Sequence, residues 1–262
     1  MSRVLARGTA LLLGLIGYGL SMAIMVRAGL GLDPWDVFHQ GLAGRTGMTI
    51  GIASAVVGVA VLLAWIPLRN RPGIGTVANV IIIAVTVDAA LAVLPTPSSM
   101  PVRIAMMLGA VVLNAISTVL YIGAGLGPGP RDGLMTGLVA RTGLSVRLVR
   151  TSIEATVLVI GWLLGGTVGV GTLVYAFGIG PLVQLVLRLV PKRLLAVSGW
   201  AFTDEADAEI DEIARPTRTS APKRWFGRRV VESGAGAAPA ATSGKRGVDS
   251  QRVVEVVGQN AG

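Results

Sequence analysis

The chain contains no cysteine and a single histidine, His39, and each shortage excludes a class of function. Without cysteine there is no disulfide, no thiolate nucleophile and no cysteine-ligated metal. One histidine cannot build a histidine cluster of the kind that holds zinc, nor a convincing nucleophile–histidine–acid set. The glycine-rich string at residues 125–133 lacks the Gly-Lys-Ser/Thr end of a phosphate-binding loop. We therefore expect no enzyme, no metal and no cofactor.

Charge is also scarce: 14% of the residues are charged, whereas about 25% is usual for a soluble domain. The mean hydropathy is +0.70. Residues 1–195 hold 14 Arg and Lys against five Asp and Glu, while residues 196–262 hold nine of each. The excess of positive charge therefore belongs to the hydrophobic part, as in the loops of a membrane protein, and it does not predict a nucleic-acid surface.

Six stretches are long enough to cross a bilayer, which takes about 20 apolar residues. They are residues 8–26, 46–68, 75–94, 102–124, 146–164 and 170–189. Six crossings place both termini on one side, and cytoplasmic termini leave only three basic residues outside, Arg27, Arg45 and Arg103. We predict an all-α integral membrane domain over residues 1–195 with membrane lipids as partners. Residues 196–262, rich in Ala, Gly, Pro, Ser and Thr at 234–244, predict a largely disordered cytoplasmic tail.

The membrane part contains an internal repeat. GLGLDPWDVFHQGLAGRTG at residues 29–47 matches GLGPGPRDGLMTGLVARTG at residues 125–143, an offset of 96 residues without a gap. Ten of the 19 positions are identical. The motif residues of the first copy are Gly29, Gly31 and Pro34, and those of the second are Gly125, Gly127 and Pro130. The repeats cover about residues 10–95 and 106–191.

Each repeat contains three spans and one short segment of about a dozen residues after its proline, too short and polar to cross the bilayer. Glycines permit tight turns, and proline suits the first turn of a helix, so each segment predicts a loop followed by a short helix ending near Gly44 or Gly143. This helix is either re-entrant or lies flat in the interface. Because three crossings is an odd number, we predict inverted repeats, an arrangement common in secondary transporters and some channels.

With these motifs, the chain resembles the YczE/YitT family of bacterial membrane proteins over about residues 5–191. The string GLGPGPRDG at residues 125–133 is the most distinctive and resembles the YczE branch. The resemblance implies a bacterial plasma membrane protein, here multi-pass with both termini cytoplasmic, and a link to antibiotic production or export. It does not extend to the tail.

Charged residues within spans are costly and are the first candidates for a functional site. Glu154 lies four residues after Arg150 on one helix face, so the two form either a substrate or proton site or a neutralising intrahelical pair. Asp88 is either a coupling carboxylate or an interfacial residue. Asp36 and Asp132 match across the repeat, and they either cap the short helices or face a central cavity with Arg131.

Two functions from different classes fit these features. The first is a small-molecule transporter, exporter-like by resemblance, with a midplane site between the inverted repeats. The second is a non-transporting membrane protein that regulates or scaffolds a partner, for example in antibiotic production. A passive channel shares the repeat pattern but needs no coupling to a gradient. The partners expected are an unidentified small molecule and lipids, and a homo-oligomer is compatible with either function.

Overall fold

The computed structural model describes residues 2–190, and their side chains from Val4 onward. The predicted tail therefore lies outside the described residues. Every regular element described is an α-helix, which confirms the predicted fold class. The helices are α1 (Ser2–Ala28), α2 (Pro34–Thr46), α3 (Ile50–Leu68), α4 (Ile74–Val93), α5 (Met100–Gly123), α6 (Pro130–Thr142), α7 (Val146–Leu163) and α8 (Val170–Leu189).

Five helices are long and apolar enough to cross a membrane, namely α1, α3, α4, α5 and α8. Many of their outward residues are large and apolar, such as Phe177 and Ile74, which suits contact with lipid. The remaining long helix, α7, has 18 residues and carries Arg147, Arg150 and Glu154. The chain is thus a multi-pass helical protein, and a sixth crossing by α7 stays a prediction.

The short helices α2 and α6 begin as their sequences predict. Gly31 and Gly127 have φ of 116° and 130°, a region that favours glycine, and a proline occupies the first turn of each helix. The left-handed residues Gly47 and Gly143 end them. The last residue of α2, Thr46, therefore lies two residues beyond the predicted Gly44, because Gly47 and not Gly44 has the left-handed conformation that ends the helix.

Helix boundaries repeat at the same offset of 96 residues as the sequence: α2, α3 and α4 begin at residues 34, 50 and 74, and α6, α7 and α8 at 130, 146 and 170. Contacts between the copies are reciprocal as well. Arg7 Nε donates to the Ala124 carbonyl at 2.7 Å, and Arg103 Nε donates to the Ala28 carbonyl at 2.7 Å. Each arginine thus caps the C-terminal end of the other copy's first helix.

The centre of the molecule is the packed pair α1 and α5, with α4 against α1 and α8 against α5. Apolar residues such as Leu15, Met22 and Val87 are almost fully buried there. A buried polar chain crosses the same core: Tyr175 Oη donates to Asn114 Oδ1 at 3.1 Å, and Asn114 Nδ2 donates to Ser21 Oγ at 2.9 Å. Hydrogen bonds between helices of this kind stabilise their association in an apolar medium.

One pair of helices packs differently in the two repeats. Helix α3 packs against α4, whereas the corresponding α7 and α8 barely touch. Asp88 on α4 holds the first contact, since its Oδ1 accepts from the Gly51 backbone at 2.8 Å and its Oδ2 from Thr49 Oγ1 at 2.5 Å. The position matching Asp88 is Gln184. The two copies therefore differ in how their last two helices are joined.

Candidate binding site where the two short helices meet

The N-terminal ends of α2 and α6 meet inside the protein through Arg131, the second residue of α6. Its Nη1 lies 3.8 Å from Asp33 Oδ1, and its Nη2 lies 3.5 Å from Asp36 Oδ1. Its guanidinium carbon stands 5.0 Å from the centre of the Trp35 ring, within range of a cation–π interaction. A cation of the second repeat is therefore held by three residues of the first, two of them buried carboxyls.

Asp33 and Asp36 form a coupled carboxyl pair at the start of α2. Asp33 is the helix N-cap and accepts from the Asp36 backbone N–H at 2.9 Å, and both carboxyls face Arg131. Burial raises the pKa of Asp33 to about 7, and the charge of Asp36 adds to this while Arg131 opposes it. Burial also raises the pKa of Asp36. Both shifts favour the protonated form, because a buried carboxylate charge is costly in a medium of low polarity.

Asp132 is the matching carboxyl at the start of α6, where glycine replaces Asp33 as the N-cap. It accepts hydrogen bonds from the Gly129 backbone and from the Tyr121 hydroxyl. Burial raises its pKa to about 7 against the opposing charge of Arg131. Trp65 Nε1 donates to the Pro130 carbonyl at 3.0 Å and so fixes the end of α6 that carries Arg131 and Asp132.

A cavity of about 50 Å³ lies beside these groups. Its wall combines aromatic rings with polar side chains, among them Tyr18, Trp35, His39, Asn79, Tyr121 and Asp132. Since one water needs about 10–15 Å³ of such volume, there is room for about four water-sized groups. The cavity is contributed by both repeats, with α2, α3 and α4 on one side and α5 and α6 on the other.

Two buried atoms near Arg131 form no hydrogen bond among the described residues: Asp36 Oδ1, and Nδ1 of His39, which lines the cavity. They lie 3.4 Å apart, and the side chains are 3% and 2% exposed. Burial lowers the pKa of His39 to about 3, and the nearby Arg131 lowers it further, so the ring is neutral. The chain's single histidine is therefore a buried neutral ring.

The structure brings together three of the six charged candidates, Asp36, Asp132 and Arg131. It also replaces the capping role expected of Asp36, because the proline at the first helical position makes the preceding Asp33 the cap. Asp88 instead joins α3 to α4, as described above. Arg150 and Glu154 form the predicted intrahelical pair, at 2.9 Å on α7, with both side chains partly buried.

Sequence reasoning missed several residues of this site. All three tyrosines of the chain lie at or next to it: Tyr121 bonds to Asp132, and the hydroxyls of Tyr18 and Tyr175 bond to each other. The available signal was their rarity, since each stands alone in an apolar span. Asp33 was also missed, although its position directly before Pro34 is typical of an N-cap.

No group of His, Cys, Asp and Glu within residues 2–190 could hold a metal ion. The arrangement instead provides a partly buried ionic cluster and an adjacent polar cavity. Such a cluster can bind a small polar or charged molecule and can take up or release a proton at its carboxyls.

Comparison with known proteins agrees with the membrane fold. Residues 5–188 match a family of unknown function, DUF6198. An uncharacterised protein of Haemophilus influenzae is 40% identical over 182 residues, 70% of this chain and 84% of that protein. The uncharacterised membrane protein YczE of Bacillus subtilis is 35% identical over 193 residues, 70% of this chain and 89% of YczE. A second B. subtilis protein, YyaS, is 24% identical over 189 residues, 70% of this chain and 94% of YyaS.

No solved structure matches the chain significantly. The match to YczE confirms the resemblance found in the glycine–proline motifs, and the family match covers nearly all of the described helices. The chain therefore belongs to the DUF6198 family and is a YczE-like helical membrane protein.

Proposed function

We propose that this protein is a small-molecule secondary transporter of the bacterial plasma membrane, with both termini cytoplasmic and its substrate site at the meeting point of two inverted repeats. The observation that carries the proposal is the cavity beside Arg131, which residues of both repeats line. Ionisable groups at membrane depth are expensive, and they commonly mark a substrate or proton pathway. Here Asp132 and Arg131 line one small cavity, and Arg131 lies 3.8 Å from Asp33 and 3.5 Å from Asp36.

The backbone at the site also supports transport. Residues 29–33 and 125–129 are not helical, and each leads into a short helix whose N-terminal half is packed inside the protein. Non-helical backbone at membrane depth persists where it is enclosed by protein or lines a cavity. Interrupted helices that meet between repeats form the substrate sites of many secondary transporters.

The difference between the two copies supports alternating access. Helices α3 and α4 are joined through Asp88, and α7 and α8 stand apart. In a transporter with inverted repeats, the second state exchanges these two arrangements, so that α7 and α8 close while α3 and α4 open. The same site would then face first one side of the membrane and then the other.

Reconstitution tests the proposal. The full chain is placed in liposomes that contain a pH-sensitive dye, and small cationic, anionic and neutral solutes are added one at a time with and without a pH gradient. We expect at least one solute to enter or leave faster than in empty liposomes and to move protons with it. Arg131→Gln should abolish the flux, because it leaves the Asp33 and Asp36 pair without its counter-charge.

Gly109→Ala is the matched control, since a methyl group there meets nothing within 4 Å. It should transport like the unaltered protein. If every solute moves as in empty liposomes, the protein is not a transporter. Movement that never responds to a gradient would instead identify a passive channel.

A further inference from the structure

The buried unpartnered acceptors beside the cavity point to the kind of molecule it binds. Asp36 Oδ1 and His39 Nδ1 are both buried and lie 3.4 Å apart, and neither forms a hydrogen bond among the described residues, with Arg131 Nη2 standing 3.5 Å from Asp36 Oδ1. A buried acceptor without a donor costs about 1–3 kcal/mol. In the tautomer protonated at Nε2, His39 Nδ1 accepts, so a molecule in the cavity with two or more N–H groups would donate to His39 and to the Asp132 carboxylate together.

The charge of the cluster favours a cation. With one proton between them, Asp33 and Asp36 would carry a single negative charge, which Arg131 balances. Asp132 adds a further negative charge. The pair of Arg150 and Glu154 on α7 is neutral as a unit. When Asp132 is ionised, the cluster therefore holds one negative charge more than positive.

The wall of the cavity also suits a cation. Aromatic side chains attract cations to their ring faces, as the position of Arg131 over Trp35 shows. Tyr18 and Tyr121 stand at the same cavity. An anion would have to displace carboxylates from the backbone N–H donors at the site, because Asp33 already accepts from the α2 backbone and Asp132 from the Gly129 backbone.

The volume of the cavity narrows the class of ligand that it can hold. Room for about four water-sized groups corresponds to a ligand of about four non-hydrogen atoms. Guanidinium has four and presents six N–H donors in one plane, and small primary ammonium ions are of similar size. We propose that the cavity beside Asp132 binds a small monovalent cation with several N–H donors, of the guanidinium or alkylammonium class, in exchange for one proton. This inference deepens the transporter proposal and rests on it for the exchange across the membrane.

The dependence of cation binding on pH follows from the titratable groups in and around the cavity. The titratable residues that line the cavity are Tyr18 on α1, His39 on α2, Tyr121 on α5, and Arg131 and Asp132 on α6. Asp33 and Asp36 contact Arg131, Tyr175 on α8 contacts Tyr18, and the charge of Arg150, which is paired with Glu154 on α7, lowers the pKa of Asp132. The lining residues of α3 and α4 are uncharged. Asp132 has a pKa raised to about 7, so it is protonated at pH 6 and a bound cation must displace that proton. Affinity should therefore fall as the pH falls below 7, by up to about tenfold per pH unit.

Calorimetry on the purified full chain in detergent tests the inference, with guanidinium as the probe at millimolar concentration. Urea is the matched control ligand, because it is planar and similar in size but neutral. We expect guanidinium to bind at least tenfold more tightly than urea at pH 8. At pH 6, binding should release close to one proton per guanidinium, read from buffers of different ionisation enthalpy, and at pH 8 close to none.

A pair of variants locates the site. Asp132→Asn should weaken guanidinium binding about 10- to 100-fold, the usual loss for a hydrogen bond to a charged group. Gly109→Ala, whose new methyl group meets nothing within 4 Å, is the control and should bind like the unaltered chain. If Asp132→Asn does not fold, proton release by the unaltered chain still decides the matter.

Equal binding of urea and guanidinium, unchanged affinity in Asp132→Asn, or no proton release at pH 6 would overturn the inference. Binding of acetate in place of guanidinium would also overturn it and would assign the cavity to anions at Arg131. The transporter proposal fails separately: guanidinium that binds but never crosses proteoliposomes leaves a cation site without transport. Flux of some other solute without guanidinium binding would leave a transporter with a different substrate.

Discussion

Replacing Gly133 by alanine should destabilise the protein through one identifiable collision. A Cβ atom at this position would overlap the six-membered ring of Trp65. Trp65 is 1% exposed, so its ring cannot swing into open space. Its Nε1 must then leave the Pro130 carbonyl, to which it donates at 3.0 Å. The substitution therefore both overpacks the interface of α3 with α6 and breaks a buried hydrogen bond.

The magnitude follows from these two effects. Overpacking a well-packed core costs about 1–3 kcal/mol. A buried polar group left without a partner costs about another 1–3 kcal/mol. The lower values together give about 2 kcal/mol, which corresponds to a fall of about 4–8 °C in the unfolding midpoint for a chain of about this length. Thermal unfolding of the purified protein in detergent, followed by tryptophan fluorescence, measures the change.

A double substitution separates this collision from a general loss of stability. Trp65→Phe removes the ring atoms that the new methyl group would strike, so Gly133→Ala should cost less than about 1 kcal/mol when added to Trp65→Phe. Gly109→Ala, with nothing within 4 Å of its new methyl group, should not lower the midpoint. The reasoning is refuted if Gly133→Ala melts like the unaltered protein, or if its cost is undiminished on the Trp65→Phe background.

Three further predictions concern the repeats. Arg103→Gln should lower the free energy of unfolding by about 1–3 kcal/mol, and by more than Arg7→Gln does. The reason is that Arg103 Nη2 donates to the Gly29 carbonyl at 2.8 Å, whereas the matching bond from Arg7 Nη2 to the Gly125 carbonyl is 3.2 Å and exposed. Melting curves of the two variants measure the difference. Thr46→Cys and Thr142→Cys, in a chain without cysteine, should react with impermeant thiol reagents from opposite sides of the membrane; labelling from one side contradicts inverted repeats. Asp88→Asn should speed amide hydrogen exchange at the start of α3, measured by mass spectrometry, and unchanged exchange would show that Asp88 does not hold α3 against α4.

The helices could be predicted from the sequence because the signals are local. Apolar runs and their glycine and proline boundaries place six long helices within a few residues of those observed. The two short helices follow from the Gly-Leu-Gly and proline motifs in the same way. Aligned charges at spacing four also predict the pair of Arg150 and Glu154, since one turn of helix suffices to bring them together.

The site is harder to predict because its contacts join distant parts of the chain. Asp36 and Asp132 are recognisable as a matched pair, but the sequence does not say that Arg131 reaches across to Asp33. Positions 35 and 131 correspond in the alignment, and only the packing of the two copies shows that their side chains touch. The tyrosines are equally hard to assign to the site, because a single polar group in an apolar span can be placed there only when its partner on another helix is known.

The reciprocal arginine contacts bear on how such a chain arises. A lone ancestral unit could satisfy every one of them by pairing with a second molecule of itself, since each donor and carbonyl has its counterpart 96 residues away. In that self-paired dimer the residues at positions 35 and 131 would be identical, and an arginine would face an arginine or a tryptophan a tryptophan. Joining two units in one gene removes this restriction. Unlike side chains such as Trp35 and Arg131 can then meet at the centre, a pairing that an exactly symmetric dimer could not form.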